Sequence, residues 1–83
     1  MAEKRLVKLV EKVLQNPKDV DFDDLRRLLE GFGYTCRAPG SGSSHYTFRK
    51  SGCSHIITVP KDKPVNKTYV KKVIKLLDLE DFV

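Results

Sequence analysis

The sequence predicts an α+β sandwich, a three-stranded antiparallel meander with amphipathic helices over one face and the other face open. Three observations predict it. Apolar residues recur at helical spacing at both ends of the 83-residue chain. Between them, three short runs alternate apolar and polar residues with period two. The breaks around these runs are rich in Gly, Ser and Pro, and two are short enough to turn successive strands back on each other.

Residues 3–15 read as the first helix. Leu6, Leu9, Val10, Val13 and Leu14 form one face, while Lys4, Arg5, Lys8, Glu11 and Lys12 fill the other. Asn16-Pro17 stops it, because the residue before proline disfavours the helical region. After a connector at 16–20, Asp21 opens a second helix. Its carboxylate suits the first-turn amides, and Asp23 and Asp24 complement the positive helix end. Phe22, Leu25, Leu28, Leu29 and Phe32 make its core stripe. Gly33 is the expected left-handed cap.

Tyr34 to Arg37 reads as a first strand, with Tyr34 and Cys36 on one side and Thr35 and Arg37 on the other. Residues 38–42 form a loop by composition. The second strand runs from about Ser43 to Arg49. Its aromatics Tyr46 and Phe48 seek the core, which turns His45, Thr47 and Arg49 outward. Residues 50–54 form a hairpin turn. The third strand, His55 to Val59, turns Ile57 and Val59 inward and stops at Pro60, which has no amide proton for the ladder. A basic loop follows at 61–65, then Asn66 as cap of a last helix at 67–77. That helix sets Tyr69, Val70, Val73, Ile74 and Leu77 opposite Lys67, Lys71, Lys72 and Lys75. The tail 78–83 is acidic with apolar punctuation, suited either to docking or to fraying.

Size and charge narrow the function. A chain this short buries roughly 60% of the surface that its unfolded state exposes, so its core is modest. No apolar run reaches the length of about 20 residues that a membrane span needs, and the N-terminus lacks the apolar block of a signal peptide. A cytoplasmic protein without membrane contact is expected. Residues 1–34 carry seven basic and seven acidic side chains. Residues 35–75 carry nine basic against one acidic. A basic half on a neutral scaffold suits a polyanion partner.

Cys36 and Cys53 are too few for a disulfide framework, and reduced thiols are expected. The set Cys36, His45, Cys53 and His55 fits no common zinc spacing, and Cys36 is expected to face the core, so no metal site is expected. The chain lacks a phosphate-binding glycine loop before a helix, a serine-hydrolase elbow and a paired-carboxylate site.

The chemistry-bearing stretch is Gly40 to Arg49, a Gly/Ser loop feeding the strand that begins near His45. Breaking RNA requires a base for the ribose 2′-hydroxyl and cations for the charge that builds on phosphorus. Histidine suits the first task because it titrates near neutrality. Arg37 and Arg49 are candidates for the second. Gly42 and Ser43 offer backbone amides to a phosphate, and Lys61, Lys63, Lys67, Lys71, Lys72 and Lys75 are candidate RNA contacts.

In order and spacing these motifs resemble the HicA toxins of HicA–HicB toxin–antitoxin systems. The resemblance runs from Phe22 to about Leu79. It comprises the helix exit Gly31-Phe32-Gly33-Tyr34, the element Gly42-Ser43-Ser44-His45, the strand end Ile57-Thr58-Val59-Pro60, and the last helix with Val70, Val73, Ile74 and Leu77. It implies a fold like the double-stranded RNA-binding domain, α-β-β-β-α, as residues 21–79 of a single 1–83 domain, with 1–16 as a helical extension. It also implies metal-independent cleavage of single-stranded mRNA with His45 essential, no cofactor, and a HicB-like antitoxin that covers the site. The chain departs from the family where many members have a second histidine, here Ser44, and a histidine in the basic loop, here Lys61-Asp62-Lys63. The second departure leaves the proton donor to the leaving 5′-oxygen unassigned. The alternative is a non-catalytic RNA-binding module of the same fold, in which His45 is dispensable and the helix lysines carry binding.

Overall fold

A computed structural model describes residues 2–40 and 45–82, with side chains from Arg5 onward. Helix α1 spans Ala2–Gln15 and α2 spans Phe22–Gly31. Strands β1 (Thr35–Arg37), β2 (His45–Arg49) and β3 (Ile57–Pro60) follow. The chain ends in α3 (Lys67–Leu76) and a single turn, α4 (Leu79–Phe82). The sheet has the order β1-β2-β3 with both pairs antiparallel, as the meander pattern predicts.

The exit from α2 sets the direction of the sheet. Gly33 has φ +96°. Its N–H donates to Glu30 O at 3.0 Å, and Tyr34 N–H donates to Leu29 O at 2.9 Å, the two bonds of a Schellman cap. Tyr34 is therefore consumed in closing the helix, and β1 begins one residue later than the expected Tyr34. The expected carboxylate cap at Asp21 takes the form of a capping box, in which Asp21 N–H donates to Asp24 Oδ2 at 3.4 Å. Asn66 caps α3 as expected, accepting from Thr68 N–H at 2.9 Å.

The core lies between the helices and one face of the sheet. Val10 and Val13 of α1, Leu25, Leu28 and Leu29 of α2, Phe48 and Val59 of the sheet, and Val70 of α3 are fully buried. Phe22 bridges the layers, with its ring centroid 4.7 Å from that of Tyr46 and 6.2 Å from that of Phe48. Helix α1 thus shares the core with the elements that follow. It is also pinned by Lys12, whose Nζ donates to Asp24 Oδ2 at 3.0 Å and whose pKa the Asp24 carboxylate raises. Where α1 meets the end of α2, a methyl group on Gly31 would stand 2.7 Å from Leu6 Cδ1.

Besides the start of β1, the bounds of β3 and α3 differ from the sequence reading. The start of β2 expected at Ser43 lies outside the described residues. β3 begins at Ile57, not His55, and takes in Pro60 as the partner of His45. α3 ends at Leu76, and Leu77 caps it with its N–H on Val73 O at 3.0 Å. The acidic tail docks: Leu79 is fully buried, and the Phe82 ring lies 5.1 Å from Phe32.

Asp78 turns the chain between α3 and α4 at φ +55°, in the left-handed region. Its carboxyl pKa is raised, first by a side-chain hydrogen bond with Asp81 and then by the charge of Asp81. A raised folded-state pKa means that this group favours the fold when protonated and loses that contribution as pH rises through the folded value. Asp78→Gly is therefore expected to raise the urea midpoint, and to raise it more at pH 7 than at pH 4.

Candidate nucleic-acid interface and active site

Strand parity builds the open face. In β2, Phe48 is buried and Tyr46 half-buried, while His45 and Arg49 are exposed. Thr35 pairs with Arg49, and Arg37 with Thr47. On the other side Thr47 pairs with Thr58, and His45 with Pro60. The outer face therefore carries Arg37, His45, Thr47, Arg49 and Thr58, as the alternation predicts. His45 stands at the mouth of β2, aimed outward because Tyr46 and Phe48 are anchored in the core.

The two arginines stand differently toward His45. Arg37 is its diagonal cross-strand neighbour, a separation of roughly 7–8 Å between Cα atoms. Arg49 lies four residues along β2, about 13 Å away at the usual rise per residue. A phosphate beside His45 falls within reach of the Arg37 guanidinium. Arg49 is the more distant of the two.

The basic loop leaves the sheet at the His45 end, since Pro60 is the cross-strand partner of His45. The loop backbone is tied to the helical scaffold. Phe22 N–H donates to Asp62 O at 3.3 Å, and Val65 N–H donates to Val20 O at 2.8 Å. These bonds hold exposed Lys61 and Lys63 near the strand mouth. Lys61 Nζ lies 6.0 Å from the centroid of the Tyr46 ring, at the outer limit of a cation–π contact. Beyond the loop, Lys67, Lys71, Lys72 and Lys75 line one shallow groove with Thr68 on the exposed side of α3. Because α3 packs its Val70 and Val73 toward the sheet, this lysine groove lies in the helical layer, not on the open sheet face. The structure brings His45, Arg37 and the start of the basic loop to one corner. The α3 lysines follow the basic loop in the chain, on the exposed side of the helix. Gly42 and Ser43, expected as phosphate contacts, lie outside the described residues.

His55 belongs to a different place. Its Nε2 lies 2.6 Å from the Tyr34 hydroxyl, in a hydrogen bond that ties the end of α2 to the β2–β3 hairpin. Burial raises the Tyr34 pKa, so the phenol stays protonated at neutral pH. This pair sits at the Arg49 end of the sheet, the length of β2 away from His45. His55 therefore does not supply a second proton-transfer group at the His45 corner. By sequence alone His55 reads as an exposed strand-end residue. The signal for its pairing is a tyrosine leaving a helix and a histidine leaving a hairpin, which only the strand register brings together.

Cys36 is half-buried on the inner sheet face, and burial raises its thiol pKa, while Cys53 is exposed in the hairpin turn. Neither is in a disulfide. Among the described residues, no group of three or more His, Cys, Asp or Glu is placed to hold a metal ion, and no helix is long and apolar enough to cross a membrane.

Residues 22–79 match the model of a family described as the HicA toxin of bacterial toxin–antitoxin systems. No curated protein and no solved structure matches the chain. The matched span starts at the first residue of α2 and ends at the first residue of α4, and so takes in the sheet, the His45 corner and the lysine-bearing helix. The chain belongs to the HicA toxin family.

Proposed function

We propose that this toxin is an endoribonuclease that cuts single-stranded mRNA without a metal cofactor, with His45 as the proton-transfer residue. The observation that carries the reading is the position of His45. It is exposed at the head of a strand whose next aromatic residues are locked in the core, with Arg37 diagonal to it and a basic loop beginning beside it. In this reading a ribose 2′-oxygen attacks the adjacent phosphorus, and the bond to the 5′-oxygen breaks. The products are a 2′,3′-cyclic phosphate and a 5′-hydroxyl. His45 takes the 2′-hydroxyl proton while water protonates the leaving 5′-oxygen, or in its protonated form His45 gives the 5′-oxygen its proton while water takes the one from the 2′-hydroxyl. Arg37 stabilises the charge on the phosphoryl oxygens. Arg49, Lys61 and Lys63 hold neighbouring phosphates, as do Gly42 and Ser43 through their backbone amides. A HicB-like antitoxin blocks this activity by covering the site.

Lys67, Lys71, Lys72 and Lys75 guide the RNA around the edge of the domain. Replacing one of them with alanine is expected to weaken binding to single-stranded RNA of any sequence. It also lowers the slope of log K against log salt by about 0.7 for each phosphate no longer neutralised, read by fluorescence anisotropy across a salt series.

Expression in growing cells tests the whole reading. Wild-type chain is expected to arrest growth and fragment mRNA, and the His45→Ala chain, at equal abundance, to do neither. Arrest by both chains with intact mRNA would replace this reading with one that needs no histidine.

A further inference from the structure

The β3 side of the sheet ends without a neighbour. With the strand order β1-β2-β3, β3 pairs with β2 on one side only, and among the described residues no strand lies beyond it. Proteins usually guard such an edge with a charge or a proline within the strand. Here Ile57-Thr58-Val59 carries neither, and Pro60 comes only at the end. Next to this edge, a groove of about 250 Å³ opens between β3 and α3, lined by Ile56, Ile57, Tyr69, Lys72, Val73 and Leu76. Tyr69, Lys72, Val73 and Leu76 recur at i, i+3, i+4 and i+7, one continuous stripe of the helix.

Exposure singles out the same place. Three large hydrophobic residues stand exposed among those described, and two of them, Ile56 at 49% and Leu76 at 48%, line this groove. The third, Phe82, has the Phe32 ring as a neighbour. A strand edge with one partner only, beside an apolar groove, is the geometry of β-augmentation. In that mode a partner strand gains main-chain hydrogen bonds and buries alternate side chains in the groove. Charge selects the kind of partner. Lys72 lies in the groove itself, Lys75 follows on the same helix, and Lys61 stands just past the end of β3. A second copy of this chain, with net charge +5, would bring like charges together.

We infer that the β3–α3 groove is a docking site for an extended segment of the antitoxin, four or five residues of alternating apolar and acidic side chains added to the edge of β3. This rests on the chain being the toxin of a toxin–antitoxin pair. It does not require that His45 be catalytic. Ile56 and Leu76 anchor the segment, and Lys72 pairs with its carboxylates. The docked segment runs beside Pro60, so the body of the antitoxin is held near the His45 corner by contacts that the corner does not make.

The test is calorimetric titration of the full chain with its antitoxin. The double variant Ile56→Asp/Leu76→Glu is expected to bind at least 100-fold more weakly, with an unchanged circular dichroism spectrum. In the wild-type complex, hydrogen exchange at residues 57–59 should slow. Leu76→Ala and Lys72→Glu, each expected to weaken binding at least tenfold, give the answer should the double variant lose its fold. Binding within threefold of wild type by these variants, or complex formation that leaves exchange in β3 unchanged, would overturn the inference. So would an uncomplexed chain that sediments as a dimer with β3 already protected, since a second copy would then hold the groove. Alone, the double variant should cut RNA like wild type. If neither cuts, the ribonuclease reading fails while the binding result stands.

Discussion

His45→Ala is expected to lower the rate of RNA cleavage by about 10²–10⁴-fold, the range that a positioned proton-transfer group contributes. The loss should fall on kcat if the side chain acts, as proposed, on the reacting proton and not on the phosphates that bind the substrate. RNA affinity should stay within about twofold, since the α3 lysines and the basic loop are untouched. His45 is exposed and faces away from the core, so its removal leaves no core cavity and the variant should still unfold cooperatively in urea. A binding module of the same fold would show the opposite pattern: no activity to lose, and affinity that tracks the lysines.

Phe48→Ala is expected to destabilise the chain by about 3–5 kcal/mol. Phe48 is fully buried, sits between Cys36 and Ile57 in the register, and has Phe22 as a ring neighbour. A domain of this size has on the order of 4–12 kcal/mol of total stability, so the variant loses a large share of it and its urea midpoint should fall steeply. Urea titration followed by circular dichroism reads this directly. Thr58→Ala, on the exposed face of the neighbouring strand, should change stability by no more than about 0.5 kcal/mol. The contrast matters for function because Phe48 and Tyr46 are what turn His45 outward. When that anchor is removed, cleavage should fall with the folded fraction.

Much of the fold is readable from local pattern. Period two in Tyr46-Thr47-Phe48 separates the inner and outer faces of β2, because a one-residue slip would put two aromatics in water. Gly33 and Asn66 mark helix ends because each meets a backbone need that few other residues meet. The chemistry of His45 is less readable. Alternation sets its direction, and only the family resemblance makes it a candidate catalyst. Features that depend on register or on two distant segments are not readable. The closeness of Arg37 to His45 follows from pairing across strands. The Tyr34–His55 bond joins residues 21 apart. Leu76 does not stand out in the sequence, because the stripe through Val70, Val73 and Leu77 already explains the helix. Nor does the sequence show that β3 ends the sheet beside it. The docking of Leu79 escapes for a similar reason, since its partners come from helices at both ends of the chain.

If the chain breaks RNA through the 2′-hydroxyl at His45, a strand without 2′-hydroxyls is no substrate. The most direct measurement incubates purified wild-type protein, without antitoxin and in EDTA at low salt, with a single-stranded RNA and with its fully 2′-deoxy counterpart. The RNA is expected to be cut to fragments ending in 2′,3′-cyclic phosphate and 5′-hydroxyl, the deoxy strand to stay whole, and His45→Ala to leave both intact. RNA that survives the wild-type protein, or fragments that end in 3′-hydroxyl, would contradict it.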